Sequence, residues 1–157
     1  IRDTIGRLRA QAVRQTHAEH DIKSGEGGIR DIEFLVQGLQ MINAAAHPEI
    51  LKGNTLVAID RLASAGVIDT ETRASLTDDY TRLRRVEHVL QVFEDRQVHA
   101  LPGDESDRAA LARRLDGPDA DGASLDADLA RRRERVHARF RRFIREAEST
   151  GSPRTDE

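Results

Sequence analysis

The sequence contains neither cysteine nor tryptophan. Without cysteine it can form no disulfide, no zinc–thiolate site and no cysteine nucleophile. That absence suits a reducing compartment, so a cytoplasmic setting is expected. Aromatic side chains are few: Tyr80 and the four phenylalanines Phe34, Phe93, Phe140 and Phe143. The core is therefore expected to be Leu, Ile, Val and Ala. No apolar run approaches the roughly 20 residues of a membrane span, and no secretory signal peptide is visible, so no membrane association is expected. Excess charge of one sign is missing too: 25 Lys and Arg face 28 Asp and Glu, a net charge of -3. Global electrostatics therefore give no attraction to nucleic acid. Sustained strand alternation and repeats of fixed period are also absent.

What the chain does have is charge and helical periodicity. Of its 157 residues, 38% are hydrophobic and 34% charged, a balance that suits amphipathic helices with solvated outer faces. The length fits one domain. The sequence begins at Ile1 in the middle of a helical pattern, so a piece of a longer protein is expected.

Residues 1–20 read as a surface helix carrying Ile5, Leu8 and Val13. Gly25, Gly27 and Gly28 then interrupt regular structure. Ile29, Ile32, Leu35, Val36, Leu39 and Ile42 recur at steps of three and four, the spacing of one helical face. Phe34 and Met41 widen that apolar arc, which predicts a central helix ending at His47-Pro48. Asn54-Thr55 opens a short helix through Leu56, Ile59, Leu62 and Ala63, stopped at Gly66. A long helix follows from Asp69–Thr72, with Thr72 the expected cap and Leu76, Tyr80, Leu83, Val86, Leu90 and Phe93 its buried stripe. After the break at Leu101-Pro102-Gly103, a helix is expected near 106–115, then a Gly/Pro-rich loop over 117–122. The last helix, 124–148, places Leu125, Leu129, Val136, Phe140, Phe143 and Ile144 on one side. The expected fold is all-α, an antiparallel bundle of about five to six helices. The expected division is a connecting helix at 1–20, the bundle at 21–148 and a disordered tail at 149–157.

Candidate chemistry concentrates after the glycine-rich break. Backbone amides at a helix start can cradle an anion, and Lys23 and Arg30 add positive charge. No strand precedes the turn and it lacks the P-loop pattern, so a turn that needs glycine for its backbone geometry is the stronger reading. Asp31 and Glu33 are two apart, which on a helix separates them by roughly 200°, so they are not a metal site by themselves. Asp31 in a first turn complements exposed amides and the helix dipole. Arg84, Arg85, Glu87, His88 and Gln91 on the long helix are weaker candidates. Arg84 and His88 share a face, as do Glu87 and Gln91. A lone helical histidine is more often a surface or packed residue than a base or ligand. His99 has no visible partner at ligand spacing. The arginine run 131–145 is diluted by acids and lacks aromatic platforms, so a solvated helix face is expected there. No catalytic residue and no metal ligand is assigned.

Four ordered stretches nevertheless carry a resemblance. Asp21-Ile-Lys-Ser-Gly-Glu-Gly-Gly-Ile-Arg-Asp-Ile-Glu-Phe-Leu-Val-Gln37 closely resembles the helical domain of the glutamine synthetase adenylyltransferase/adenylyl-removing enzymes. Asn54-Thr-Leu56, Tyr80-Thr-Arg-Leu-Arg-Arg-Val-Glu-His88 and Asp95-Arg-Gln-Val-His-Ala-Leu-Pro102 resemble further motifs of that family. They span 21–102; the rest matches only as generic helix. The last two look more like the N-terminal half of the family protein, and a related domain occurs in the enzyme that uridylylates the PII protein.

The resemblance implies a nucleotidyltransferase core nearby that uses magnesium and ATP. It also implies glutamine synthetase and PII as partners. The family's Gly-Ser-x-x-Asp-x-Asp core motif is absent from this chain. Lys23, Gly25, Gly27, Gly28, Arg30, Asp31 and Glu33 are then expected to border that core. The alternative is a non-catalytic module docking glutamine synthetase or PII.

Overall fold

The computed structural model describes residues 1–14, 20–94 and 99–150. Among them are six α-helices: α1 (Arg2–Arg14), α2 (Ile29–Asn43), α3 (Thr55–Ser64), α4 (Thr70–Glu94), α5 (Glu105–Asp116) and α6 (Gly122–Thr150). A 3₁₀ turn, Pro48–Ile50, sits between α2 and α3. No strand is present among the described residues, and the one antiparallel bridge joins Asp21 to Ala100. The all-α expectation is therefore met. The sequence stretch 15–19, the first part of the Asp95–Pro102 motif and tail residues 151–157 lie outside the described residues.

Local chemistry sets the boundaries. Asn54 caps α3 by accepting from the Val57 amide at 3.1 Å. Asp104 caps α5 by accepting from the amides of Ser106 and Asp107. Both satisfy donors that a helix start leaves unpaired. The expected cap at Thr72 is corrected: Asp69 accepts from the Thr72 amide at 2.7 Å, because a carboxylate three residues upstream reaches the orphan donor that Thr72 itself carries. Likewise Asp121 caps α6 by accepting from the Ser124 amide. α2 stops at Asn43, before His47-Pro48, and residues 44–46 form a turn. There the Asn43 side-chain amide donates back to the Leu39 carbonyl at 2.8 Å.

Three surface carboxylates, two of these caps and Asp116 at the end of α5, are held below the ordinary aspartate value. Asp116 is lowered chiefly by its hydrogen bond from Arg82. Asp69 is lowered by hydrogen bonds from Thr72, and Asp121 by the Ser124 amide and hydroxyl. A depressed folded-state value contributes stability above the unfolded value, and that contribution disappears as pH falls through the folded one. Helicity followed by circular dichroism is expected to fall in an acid titration starting below about pH 4. Asp116→Asn should lose less stability across that window than the parent chain.

The core is one continuous cluster. α2 is central, packing against α1, α3, α4 and α6. It buries Ile29, Ile32, Leu35 and Val36, while α4 contributes Leu76, Leu83, Val86 and Leu90. α6 contributes Leu125, Leu129, Val136, Phe140 and Phe143. The widened α2 arc is corrected: Met41 is 56% exposed, on the helix face that also carries the exposed Arg30 and Gln37, and Ile42 in the last turn is 38% exposed. Leu8 is exposed as well. Phe93 leaves the α4 stripe and meets the Arg114 guanidinium, 3.6 Å from its ring centroid.

The arginine run of α6 is a solvated face only in part: Arg131, Arg141, Arg142 and Arg145 are exposed, whereas Arg132, Arg133, Arg135 and Arg139 are half-buried. Arg132 and Arg135 bind the fully buried Asp79 of α4. Arg132 also pairs with Asp78, and Arg139 donates to Thr72 and Ser75. Acids at the facing positions of α4 turn a charged sequence into an interhelical seam.

Candidate functional site at the glycine turn

Residues 21–28 fold into a turn in which the amides of Lys23, Ser24, Gly25, Gly27 and Gly28 are consumed locally. The Asp21 carboxylate accepts from the amides of Lys23 and Ser24, each at 2.8 Å. The Gly25 amide donates to Asp21 O, Gly28 to Gly25 O, Ile29 to Ile22 O and Arg30 to Lys23 O. The Gly27 amide donates to Asp31 Oδ2 at 2.7 Å. The phosphate-cradle reading is thereby corrected: these donors point into the turn and are already paired. The geometric reading of the glycines stands. Gly27 has φ +68°, and a β-carbon there would lie 1.9 Å from the carbonyl oxygen of Arg133. A side chain at Gly28 would meet three carbonyl oxygens within 3 Å.

Asp31 is fully buried. Arg9 of α1 grips it from the side, Nε donating to Oδ1 and Nη2 to Oδ2. Arg9 is itself 6% exposed. Asp31 thus joins α1, α2 and the turn in one buried, charge-assisted contact. From α6, Arg133 donates through Nε to Glu26 O at 3.0 Å. Burial lowers the Arg133 guanidinium below its ordinary value, opposed by the charges of Asp21, Asp31 and Glu26. On the far side, Ile22 N donates to His99 O and Leu101 N to His20 O. Three helices and the 99–101 strap therefore fix the turn.

A second polar cluster adjoins it. Glu87 of α4 is 3% exposed. Arg84 Nη1 donates to its Oε2 at 2.5 Å, and Lys23 Nζ and His99 Nδ1 each approach its Oε1 at 3.2 Å. The primary candidate Lys23 and the weaker candidates Arg84 and Glu87 thus meet. Arg85 stands apart, donating to the Leu115 carbonyl at 2.8 Å. His88 is exposed and Gln91 half-buried. Glu33 diverges from Asp31, as helical geometry requires, and accepts from the Tyr80 hydroxyl at 3.2 Å. Burial raises Tyr80 above its ordinary value. Glu33, Tyr80 and Arg84 line an open cavity of about 470 Å³ at the start of α3, with Asn54 and Thr55. Arg30 is exposed.

Reading by motif passed over Arg9 and gave no partner to Arg133 or His99. Arg9 and Arg133 lie 22 and more than 100 residues from the groups they bind, beyond any local spacing rule. The one available signal was an arginine among the sparse apolar residues of α1.

A family model described as GlnD PII-uridylyltransferase matches residues 1–144. Among curated relatives, the bifunctional glutamine synthetase adenylyltransferase/adenylyl-removing enzyme of Stenotrophomonas maltophilia is 37% identical over 98% of this chain, which spans 16% of that protein. The protein of the same name from Bradyrhizobium diazoefficiens is 40% identical over 85% of the chain, spanning 13% of its length. That of Xanthomonas axonopodis pv. citri is 40% identical over 92%, spanning 15%. The similarity therefore extends past the 21–102 motifs into α1, α5 and α6, where sequence reading found only generic helix.

Proposed function

This chain belongs to the GlnD PII-uridylyltransferase family, and from that premise we propose that it is the helical domain beside a nucleotidyltransferase core in an enzyme that adenylylates and deadenylylates glutamine synthetase. In this reading the turn 21–28 and the first turns of α2 form the face presented to the core. The observation that carries it is the division of labour around the turn. Asp31, Gly27 and Gly28 are spent inside, while Arg30 and the Glu33–Tyr80–Arg84 cavity remain accessible. Such an arrangement presents positioned side chains from a rigid base, which is how a neighbouring site is completed without supplying a catalytic group.

The residues do not fit a magnesium–nucleotide site of their own. Asp31 is committed to Arg9 and Glu33 points elsewhere, and the amides of Lys23, Ser24, Gly25, Gly27 and Gly28 are paired. Magnesium and ATP are therefore assigned to the proposed core, and no chemical step is placed on this chain. The proposed setting is the cytoplasm; among the described residues no helix is long and apolar enough to cross a membrane.

In the full-length enzyme, Arg30→Ala and Glu33→Ala are expected to reduce turnover about tenfold, near 1.4 kcal/mol of activation free energy. The melting temperature should hold, since neither side chain is buried. Normal turnover in both variants would overturn the border-face reading.

A second reading, docking of glutamine synthetase or PII, is favoured by one observation. Met41, Ile42, Leu51 and Val57, at the end of α2 and the approach to α3, are all exposed. Met41→Glu with Val57→Glu should then weaken capture of one of these two proteins while leaving the fold intact. Unchanged binding of both removes this reading.

A further inference from the structure

We propose that the groove between α1 and α6 is a binding site for a small organic anion, an acid group carried on an apolar body. The groove has a volume of about 420 Å³ and adjoins the border face described above only through Glu26. Its apolar lining comes from Gly6 and Ala10 on α1 and Phe140 and Ile144 on α6. Four basic side chains line the same space: Arg9, His137, Arg141 and Arg145. Glu26 is the one acid among the lining residues, 3.9 Å from His137 Nε2.

Two buried nitrogens without partners belong to side chains that line this groove. Arg9 engages Asp31 through its Nε and Nη2 edge. Its Nη1 lies on the other side of the guanidinium plane's axis, turned away from that carboxylate, and is buried without a hydrogen-bond partner. His137 Nδ1 is buried and unpartnered as well. Among the described residues six side-chain atoms are buried without a hydrogen-bond partner, and two of them belong to side chains lining this one groove. Buried polar groups are satisfied in nearly all folded proteins, and a bound ligand would satisfy this pair. An inorganic anion alone would leave Phe140 and Ile144 uncovered, and an uncharged hydrocarbon would leave the donors unmet. An amphipathic anion meets both demands, its acid group toward Arg9 and His137 with Arg141 and Arg145 at the rim.

The test uses the ¹⁵N-labelled chain titrated with octanoate, octyl phosphate, octanol, octylammonium and acetate. Octanoate or octyl phosphate is expected to shift the Gly6 and Ala10 amides in a saturable manner, and the stronger of the two identifies the acid group. Octanol, octylammonium and acetate should bind at least tenfold more weakly. Arg141 and Arg145 are exposed, so Arg141→Gln/Arg145→Gln should fold as the parent does and weaken the anion about tenfold. His137→Gln provides a second, milder variant. Equal binding of octanol and octanoate, shifts confined to other surfaces, or unchanged affinity in the double variant would each overturn the proposal.

Discussion

Asp31→Ala is expected to lower the unfolding free energy by about 3–5 kcal/mol, the cost of breaking a buried ion pair from one side. The substitution strands Arg9, 6% exposed, without its carboxylate, and it removes the acceptor of the Gly27 amide. Neither group can reach water without opening the α1–α2 contact. Urea denaturation of the chain measures the loss as a lower midpoint at unchanged slope. Arg9→Met/Asp31→Leu is the informative partner variant. It removes both charges together, so it should recover much of the stability that the single change loses. A single variant as stable as the parent would show that the pair contributes nothing. This outcome also bears on function. A loss of turnover in Asp31→Ala reports a loosened turn, whereas the exposed Arg30 reports the border face directly.

Gly27→Ala is expected to be comparably severe, by about 2–5 kcal/mol. Left-handed backbone costs a non-glycine residue about 1–2 kcal/mol, and overpacking against fixed atoms adds about 1–3 kcal/mol. The obstacle is the main chain of Arg133, with its carbonyl oxygen 1.9 Å from the new β-carbon. A backbone carbonyl inside α6 cannot rotate away as a side chain would. Gly66→Ala separates the two contributions. Gly66 has φ +73° with nothing within 4 Å of an added β-carbon, so only the backbone cost of about 1–2 kcal/mol applies. If the two glycines respond equally to alanine, α6 does not press on the turn.

Much of the bundle is legible in the residue order because helices report themselves through a short period. Ile29, Ile32, Leu35 and Val36 announce a buried face, and all four are buried. The cap at Asn54 and the stops at Gly66 and Gly117 follow from chemistry within a few residues, and the structure shows them. The errors share one cause. Periodicity states that a helix has an apolar side, not how wide a sector its neighbours cover, so Met41, on the face of Arg30 and Gln37, lies outside that sector. Composition counts charges without pairing them, so the arginines of α6 read as a solvated face. In the fold Arg132 and Arg135 meet Asp78 and Asp79 across more than 50 residues, while Arg141, Arg142 and Arg145 do remain exposed.

For the candidate site the division is sharper. The sequence by itself determined that a glycine-requiring turn precedes α2, that Asp31 and Glu33 cannot share one metal, and which family the motif resembles. Those conclusions depend only on backbone geometry and local order. Only the tertiary structure decided where each side chain goes. It spends Asp31 on Arg9 and gathers Lys23, Arg84 and His99 around Glu87. It also closes the amides of Lys23, Ser24 and Gly27 on aspartate carboxylates and those of Gly25 and Gly28 on carbonyls of the turn, and it presses α6 onto Gly27. The physical reason is that a buried charge takes its partner from whatever helix packing brings within hydrogen-bond reach, and in this chain that partner is 22 residues away for Asp31.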